Sequence, residues 1–301
     1  MKSIFLAVIA FAFHWCTVCA QSAELLATPR PGSIEVLSNP KYFSSSFAVG
    51  PVVYRDFATS PLFYGGSALS LNLGWTKAQK KGQRQWNVRT SIASANARVP
   101  ETEFKQSKYS SIFSSSDISY QFLAPTPKLN RGKWAFHAGG VWMNTFNFHL
   151  NQSLGNSAAG IEAFIHLMGA GKVTCDMSHQ KTGTRKVLFF FHREQHPQRQ
   201  FLSFQLNAGI LNWNYRPDYA YKELPEVDGT KLNPFKLVTN GSAWALNGYR
   251  VGTQLNFIRT KESGNAVEWS YLWDVLSAPG RADKFQMAAH RIQCTLYFNR
   301  N

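Results

Sequence analysis

The sequence has little charge, and most of that charge has one sign. Only 16% of its residues are Asp, Glu, Lys or Arg, whereas soluble globular chains carry about 25%. The 17 acidic residues are outnumbered by 32 basic ones, which gives a formal net charge of +15. Apolar residues make up 44% of the chain. Because a disordered chain combines low hydrophobicity with high net charge, this composition excludes intrinsic disorder.

Long apolar runs and cysteine are also scarce. Beyond the first 20 residues the sequence lacks the run of about 18 apolar residues that a membrane-spanning helix requires. Two of the four cysteines, Cys16 and Cys19, fall within those first 20 residues. The remaining pair, Cys175 and Cys294, is too small for a disulfide framework and lacks metal-ligand spacing. These absences exclude a helical membrane protein and a disulfide-stapled secreted domain.

Residues 1–20 have the features of a secretory signal peptide. Lys2 precedes an apolar stretch over 4–13, and Val18-Cys19-Ala20 precedes the predicted cleavage point. We expect cleavage near Ala20, leaving 21–301 as a single barrel domain with a short N-terminal periplasmic segment. For an exported protein, strong positive charge favours anionic lipid over nucleic acid as a partner, so no nucleic-acid binding is predicted.

Aromatic residues, at 14%, and a repeated alternation of apolar and polar side chains dominate the rest of the sequence. Alternation with a period of two is typical of strands with one apolar and one polar face. Many of these segments reach the 9–11 residues or so that a tilted transmembrane strand requires. The predicted strands are 47–56, 68–76, 85–94, 116–124, 133–147, 157–168, 171–179, 186–193, 200–214, 243–259, 265–276 and 285–298.

These strands predict an all-β fold, namely a closed antiparallel transmembrane β-barrel of about 12 strands, with 10–14 as the range. In lipid every backbone N–H and C=O must pair internally, so a membrane-spanning sheet has to close. The connections support this prediction, because a long segment at 215–242 contrasts with a predicted tight turn at 168–171. The outward aromatic residues Trp75, Trp86, Trp134 and Phe298 are predicted to lie at one membrane interface.

The polar faces of the strands supply the candidate site. Opposite charges in a narrow interior must pair, so a salt-bridged plug is expected, with a solute path as the alternative. No catalytic, metal or cofactor motif occurs in a useful context, and we therefore predict no catalytic residue, no metal and no cofactor. The predicted lumenal polar cluster comprises His137, Glu162, His166, Asp176, Arg250, Glu268, Asp274 and Arg291.

Three segments carry a family resemblance, namely 211–217 (LNWNYRP), 246–252 (LNGYRVG) and the final strand 286–298. On these segments the chain resembles outer-membrane β-barrel proteins of the Bacteroidota kind. The resemblance implies the outer membrane of a Gram-negative bacterium, contact with its lipids and lipopolysaccharide, and assembly by the barrel-insertion machinery. Such chains often end on an aromatic residue, whereas here Phe298 is followed by Asn299, Arg300 and Asn301.

Three functions remain open at this point. The first is a non-enzymatic barrel that is structural, passes solutes through a narrow pore, or binds a partner through the aromatic-rich 215–242 loop. The second is an outer-membrane lipid or acyl hydrolase that uses Ser178 and His179, beside a predicted outer loop. The third is a secreted soluble β-barrel that binds glycans through aromatic loops.

Overall fold

The computed structural model describes residues 40–58, 60–79, 81–98, 108–151, 159–178, 183–187, 191–195, 198–216, 244–279 and 284–300. The predicted signal peptide, and nearly all of the predicted 215–242 loop, lie outside these residues. Within the described ranges, no helix has the length and apolar character needed to cross a membrane.

The described residues form β-strands and one short 3-10 turn at Pro127–Leu129. Ten long strands pair antiparallel in the order β1-β2-β3-β4-β5-β6-β9-β11-β12-β13, and β13 pairs back onto β1. This closed barrel confirms the predicted fold class. The short strands β7 and β8 form a separate hairpin, and β10 pairs only with β9. The strands are β1 (Lys41–Asp56), β2 (Ser60–Gln79), β3 (Gly82–Arg98), β4 (Lys108–Pro125), β5 (Trp134–Asn151), β6 (Ala159–Asp176), β7 (Gly183–Val187), β8 (Phe191–Gln195), β9 (Arg199–Tyr215), β10 (Trp244–Leu246), β11 (Tyr249–Thr260), β12 (Ala266–Pro279) and β13 (Lys284–Asn299).

The barrel has ten strands, within the predicted range, but two predicted strand assignments are wrong. The predicted turn at 168–171 is the middle of β6, where Gly169, Ala170 and Gly171 pair with both β5 and β9. Small residues are typical of turns, but within a strand they also mark a bulge or a close backbone approach. The predicted strand 186–193 is not a barrel strand, because it spans the β7–β8 hairpin.

A β-bulge in β9 explains why the alternation of inward and outward residues reverses within this strand. Leu167 pairs with Leu211 and Met168 pairs with Gly209, so Ile210 is the extra residue. A bulge shifts the following side chains to the opposite face. As a result Trp213 lies on the outer wall, 37% exposed, while Asn212 and Asn214 are buried inside.

The two ends of the barrel differ. At the end that we call lower, β1 begins and β13 ends, and at the upper end β9 ends and β11 begins. β6 ends at Asp176 at the lower end, so Ser178 is at the opposite end of the barrel from the position where β9 leads into the predicted 215–242 loop. A turn at 168–171, had the prediction been right, would have reversed the direction of the chain and placed Ser178 at the upper end.

The outer wall of the barrel is apolar over much of its height. Many of its aliphatic side chains are exposed, for example those of Leu71 and Ile210, at 66% and 67%. The strands are 12 to 20 residues long, whereas about 9–11 tilted residues cross a bilayer. The aromatic residues predicted for one interface, Trp75, Trp86, Trp134 and Phe298, all lie exposed toward the lower end.

Candidate functional site

The barrel interior changes character from the upper end to the lower end, and the candidate site lies within it. Inward side chains alternate with outward ones along each strand, as in β2 and β12. The interior has an aromatic upper layer, a charged middle layer and a polar cavity in the lower half.

The upper layer is packed around Tyr54, whose side chain is fully buried. Its ring centroid lies 5.4 Å from that of Tyr64, 4.8 Å from that of Phe113 and 6.4 Å from that of Phe285. The Tyr54 hydroxyl donates to Asn151 Oδ1 at 3.2 Å, and it is also hydrogen-bonded to Ser111. Tyr54 lies on β1, whereas its hydrogen-bond partners Ser111 and Asn151 lie on β4 and β5, so these contacts cross the lumen and close it.

Beside this aromatic layer lies a buried charged cluster. His149 Nε2 is 3.4 Å from Asp56 Oδ2, and His149 Nδ1 is 3.4 Å from Glu162 Oε1. Arg216 forms an ion pair with Asp56 and donates to the carbonyl oxygen of Ala278 at 3.1 Å. One ligand atom from each of Asp56, His149 and Glu162 lies within 4.8 Å of the others, so the trio has the donor types of a divalent cation site. A protonated His149, together with Arg216, balances the two carboxylates equally well, so the cluster does not require a metal.

The middle layer is built around Arg250, which is almost fully buried. Its guanidinium holds Asp274 bidentately, from Nε to Oδ1 at 3.1 Å and from Nη2 to Oδ2 at 2.7 Å. Arg250 Nη1 donates to Thr145 Oγ1 at 2.7 Å, and Thr145 in turn donates to Asp117 Oδ1 at 2.6 Å. Arg89 lies 3.9 Å from Asp117. Bidentate charged bonds of this kind are strong and directional. The bidentate pair joins the neighbouring strands β11 and β12, whereas the contacts of Arg250 with Thr145 and Asp117 span the lumen from β11 to β5 and β4.

The lower half contains a cavity of about 260 Å³. Amide and hydroxyl side chains dominate its lining, among them Asn72, Gln85, Gln254, Asn256 and Thr295. Such groups both donate and accept hydrogen bonds, so the cavity suits a small polar solute. Because pockets for drug-sized ligands begin near 300 Å³, this cavity takes a smaller molecule. Beside it Leu123, Val141, Met168 and Ala170 fill one side of the lower barrel.

The predicted lumenal cluster is divided among these layers. Glu162 joins the upper charged cluster, whereas Arg250, Asp274 and Arg291 lie in the middle layer near His166, which bonds Asn212 at 2.8 Å. Glu268 lines the cavity and accepts from Ser270 at 2.8 Å and from Tyr297 at 3.3 Å. His137, opposite Lys172 in the ladder, is half-buried.

Asp176 is the exception, because it lies at the exposed last position of β6 and not in the lumen. The side chain and backbone amide of Ser178 hydrogen-bond the Asp176 carboxylate and lower its pKa. The Ser178 hydroxyl also accepts from the backbone amide of Gln200 at 3.1 Å. His179, the other half of the hypothetical hydrolase pair, lies outside the described residues.

Sequence reasoning missed Arg89, Asp117, His149, Asp56 and Arg216 as site residues. Arg89 and Asp117 lie on the polar face of a predicted strand, so their inward direction was available from alternation. Asp56, His149 and Arg216 lie at or just beyond the ends of predicted strands, where alternation gives the weakest signal. The sequence does not specify how high in the barrel each residue lies, because that height depends on the stagger between neighbouring strands.

The comparisons with known proteins give fold-level similarities only. No protein-family model matches the sequence, and no curated protein sequence does either. Among solved structures, the beta domain of the Bordetella autotransporter BrkA is 8% identical, with a TM-score of 0.30, and the match covers 87% of this chain and 100% of that one. The transport unit of the Escherichia coli autotransporter AIDA-I is 8% identical, with a TM-score of 0.28 and coverage of 92% and 96%. Pseudomonas aeruginosa OpdL is 7% identical, with a TM-score of 0.15 and coverage of 86% and 99%.

No residue role is transferred from those proteins to this chain. The narrower resemblance to Bacteroidota barrels is not tested by these similarities and stays a prediction. The candidate site therefore rests on its own geometry, namely a polar cavity closed from above by ion pairs and aromatic side chains.

Proposed function

We propose that the protein is an integral outer-membrane β-barrel that passes small polar solutes through a narrow, gated lumen and carries out no catalysis. The observation that carries this proposal is the polar cavity of about 260 Å³ beneath the contacts that Arg250 makes across the lumen with Thr145 and Asp117. Side chains of the strands cross the lumen above the cavity, so these side chains must move for a solute to pass. Open and closed states would then differ by a few kcal/mol.

The outer wall supports the membrane assignment. Side chains such as Leu71, Ile210 and Ile292 are at least 60% exposed, and a soluble barrel rarely leaves apolar patches larger than a few hundred Å² open to water. This wall disfavours the secreted glycan-binding alternative and suits the acyl chains of outer-membrane lipids and lipopolysaccharide. We assign the lower end to the periplasm of a Gram-negative cell, after signal cleavage near Ala20 and assembly by the insertion machinery. A partner at the 215–242 loop remains part of this proposal.

Conductance across a planar bilayer tests the passage function. The first variant pairs Arg250→Gln with Asp274→Asn, which removes both charges of the bidentate pair together, so that neither is left buried without the other. The second adds Tyr54→Ala, which removes the aromatic contact above the ion pair. Arg259→Gln, on the exposed outer face of β11, is the matched control.

We expect wild type and control to show rare, brief openings. Each hydrogen bond to a charged group contributes about 1.5–3 kcal/mol, and about 1.4 kcal/mol corresponds to a factor of ten. The paired variant should therefore open at least about tenfold more often, and the variant that also lacks Tyr54 should conduct most. If the latter inserts as a heat-modifiable barrel yet conducts no more than the control, the passage function is wrong and the barrel is a structural anchor.

A further inference from the structure

The middle layer and the lower half of the lumen together contain more positive than negative charge. Its buried or half-buried basic side chains are Arg89, Lys172, Arg250 and Arg291. The carboxylates that face them in the described residues are Asp117, Glu268 and Asp274. Four basic groups thus share three carboxylates. An excess charge in a low-dielectric interior is costly unless a counter-ion neutralises it.

The excess is located at Arg291. Asp274 is held bidentately by Arg250, and Asp117 is shared between Arg250 and Arg89. Lys172 and Glu268 act electrostatically on each other at the cavity wall. Arg291 is only 4% exposed, and among the described residues it forms no ion pair and its Nε has no hydrogen-bond partner.

Arg291 lies in the same charged layer as a second guanidinium, that of Arg89. Leu272, the ladder partner of Arg291, is two residues from Asp274 on the same strand. Asp274 is bound by Arg250, which also contacts Asp117, the partner of Arg89. Arg89 lines the cavity and its Nε lacks a hydrogen-bond partner within the described lumen, and Gln293, two residues beyond Arg291 on the same face of β13, lines the cavity as well. Two guanidinium groups with unused donors therefore lie in one layer at the upper end of the polar cavity.

We propose that Arg89 and Arg291 form an anion-binding site at the upper end of this cavity, for the carboxylate or phosphate group of a small polyhydroxylated molecule. Guanidinium groups match both oxyanions with paired N–H donors. The amide and hydroxyl lining below them provides donors and acceptors for the hydroxyl groups of the same ligand. This site rests on the proposed function, because its ligand must enter the cavity, and it specifies the class of solute that enters.

Equilibrium binding to the full mature chain in detergent micelles tests this site. The probes are gluconate, glycerol 3-phosphate, and sorbitol as the neutral counterpart of gluconate, with calorimetry and the temperature of heat modification as readouts. Binding in micelles does not require the ligand to pass through the barrel. A bilayer recording without conductance would therefore contradict the proposed function, whereas a failure to bind in micelles would contradict the anion site. Gluconate and glycerol 3-phosphate distinguish the carboxylate from the phosphate source.

Wild type should bind at least one of the two anions and should bind sorbitol at least about tenfold more weakly, because sorbitol forms no charged hydrogen bond. Arg291→Gln and Arg89→Gln should each weaken anion binding by at least about tenfold, whereas Arg259→Gln should leave it unchanged. Arg291→Gln should also lose the rise in the heat-modification temperature that the anion produces. If Arg291→Gln does not fold, Arg89→Gln, whose side chain is 19% exposed, provides the same test. Equal binding of anion and sorbitol, or unchanged anion binding in both Gln variants, would overturn the proposal.

Discussion

The upper and lower halves of the lumen are enclosed by the same ten strands, yet one is filled and the other contains a cavity. In the upper half the rings of Tyr54, Phe113 and Phe285 meet across the barrel. In the lower half the corresponding inward positions carry Asn, Gln, Ser and Thr around open space. Strand number sets the diameter of a barrel. Within that diameter, the volume of every second side chain decides whether the lumen is closed.

The polar contacts of the two halves differ in the same way. In the upper and middle layers, hydrogen bonds join strands that are not neighbours, as from Tyr54 to Asn151 and from Arg250 to Thr145. In the lower half several amides bond to the residue two positions along their own strand, as in Gln85 to Asn87 and Gln293 to Thr295. The bond from Gln205 to Gln121, which joins β9 to β4, is the exception. Bonds along one strand leave the lumen free, whereas bonds across it close the lumen.

The largest expected effect comes from removing the central ring of the upper half. Tyr54→Ala should lower the free energy of unfolding by about 3–5 kcal/mol, because it leaves a cavity among packed rings. The matched change in the lower half is Tyr42→Ala, whose ring meets Tyr297 edge-on at 6.0 Å. Losing that pair should cost about 0.5–1.5 kcal/mol. Urea unfolding in lipid vesicles measures both values, and equal losses would mean that the two halves are packed alike.

Most of the fold was predictable from the sequence because alternation reports directly which face of a strand meets which environment. Ile118, Tyr120 and Phe122 opposite Asp117, Ser119 and Gln121 predicted β4 with the correct faces. Alternation did not predict the structure at 168–171, because Gly169 and Gly171 are typical of turns although the strand continues through them. Local propensity could not distinguish the two outcomes, because pairing with β9 on the far side of β6 decided them.

The candidate site was less predictable, since the inward direction of a residue does not determine its partners. Arg250 was expected in the lumen, but its contacts with Thr145 and Asp117 join residues more than 100 positions apart in sequence. Such contacts depend on the stagger of every intervening strand, and the bulge at Ile210 alters that stagger. A single sequence specifies the faces of the strands and leaves the heights undetermined.

Two glycines on β6 compare the filled upper lumen, which Gly160 faces, with the open outer wall, which Gly171 faces, at the level of one methyl group. A Cβ at Gly160, in the upper half, would lie 2.1 Å from His149 Cε1, whereas nothing lies within 4 Å of a Cβ at Gly171. Gly160→Ala should therefore displace the His149 ring and cost about 1–3 kcal/mol of unfolding free energy. Gly171→Ala should be neutral or stabilise by up to about 1 kcal/mol, because Gly is unfavourable in strands. Vesicle unfolding of the two variants measures the difference, and an equal cost would contradict close packing around His149.

The smallest expected effect tests whether the lower half is wet. Gln205 donates to Gln121 Oε1 at 2.7 Å, a bond that reaches from β9 to β4 at the cavity wall. In a hydrated cavity water replaces the lost donor, so Gln205→Ala should cost about 0.5–1.5 kcal/mol, the net value of one hydrogen bond. Gln254→Ala, at another lining position, is the control and should cost less. A loss above about 3 kcal/mol for Gln205→Ala would show that Gln121 is left unsatisfied in a dry interior. The lower half would then be as closed as the upper half, and neither solute entry nor the anion site would have space to operate.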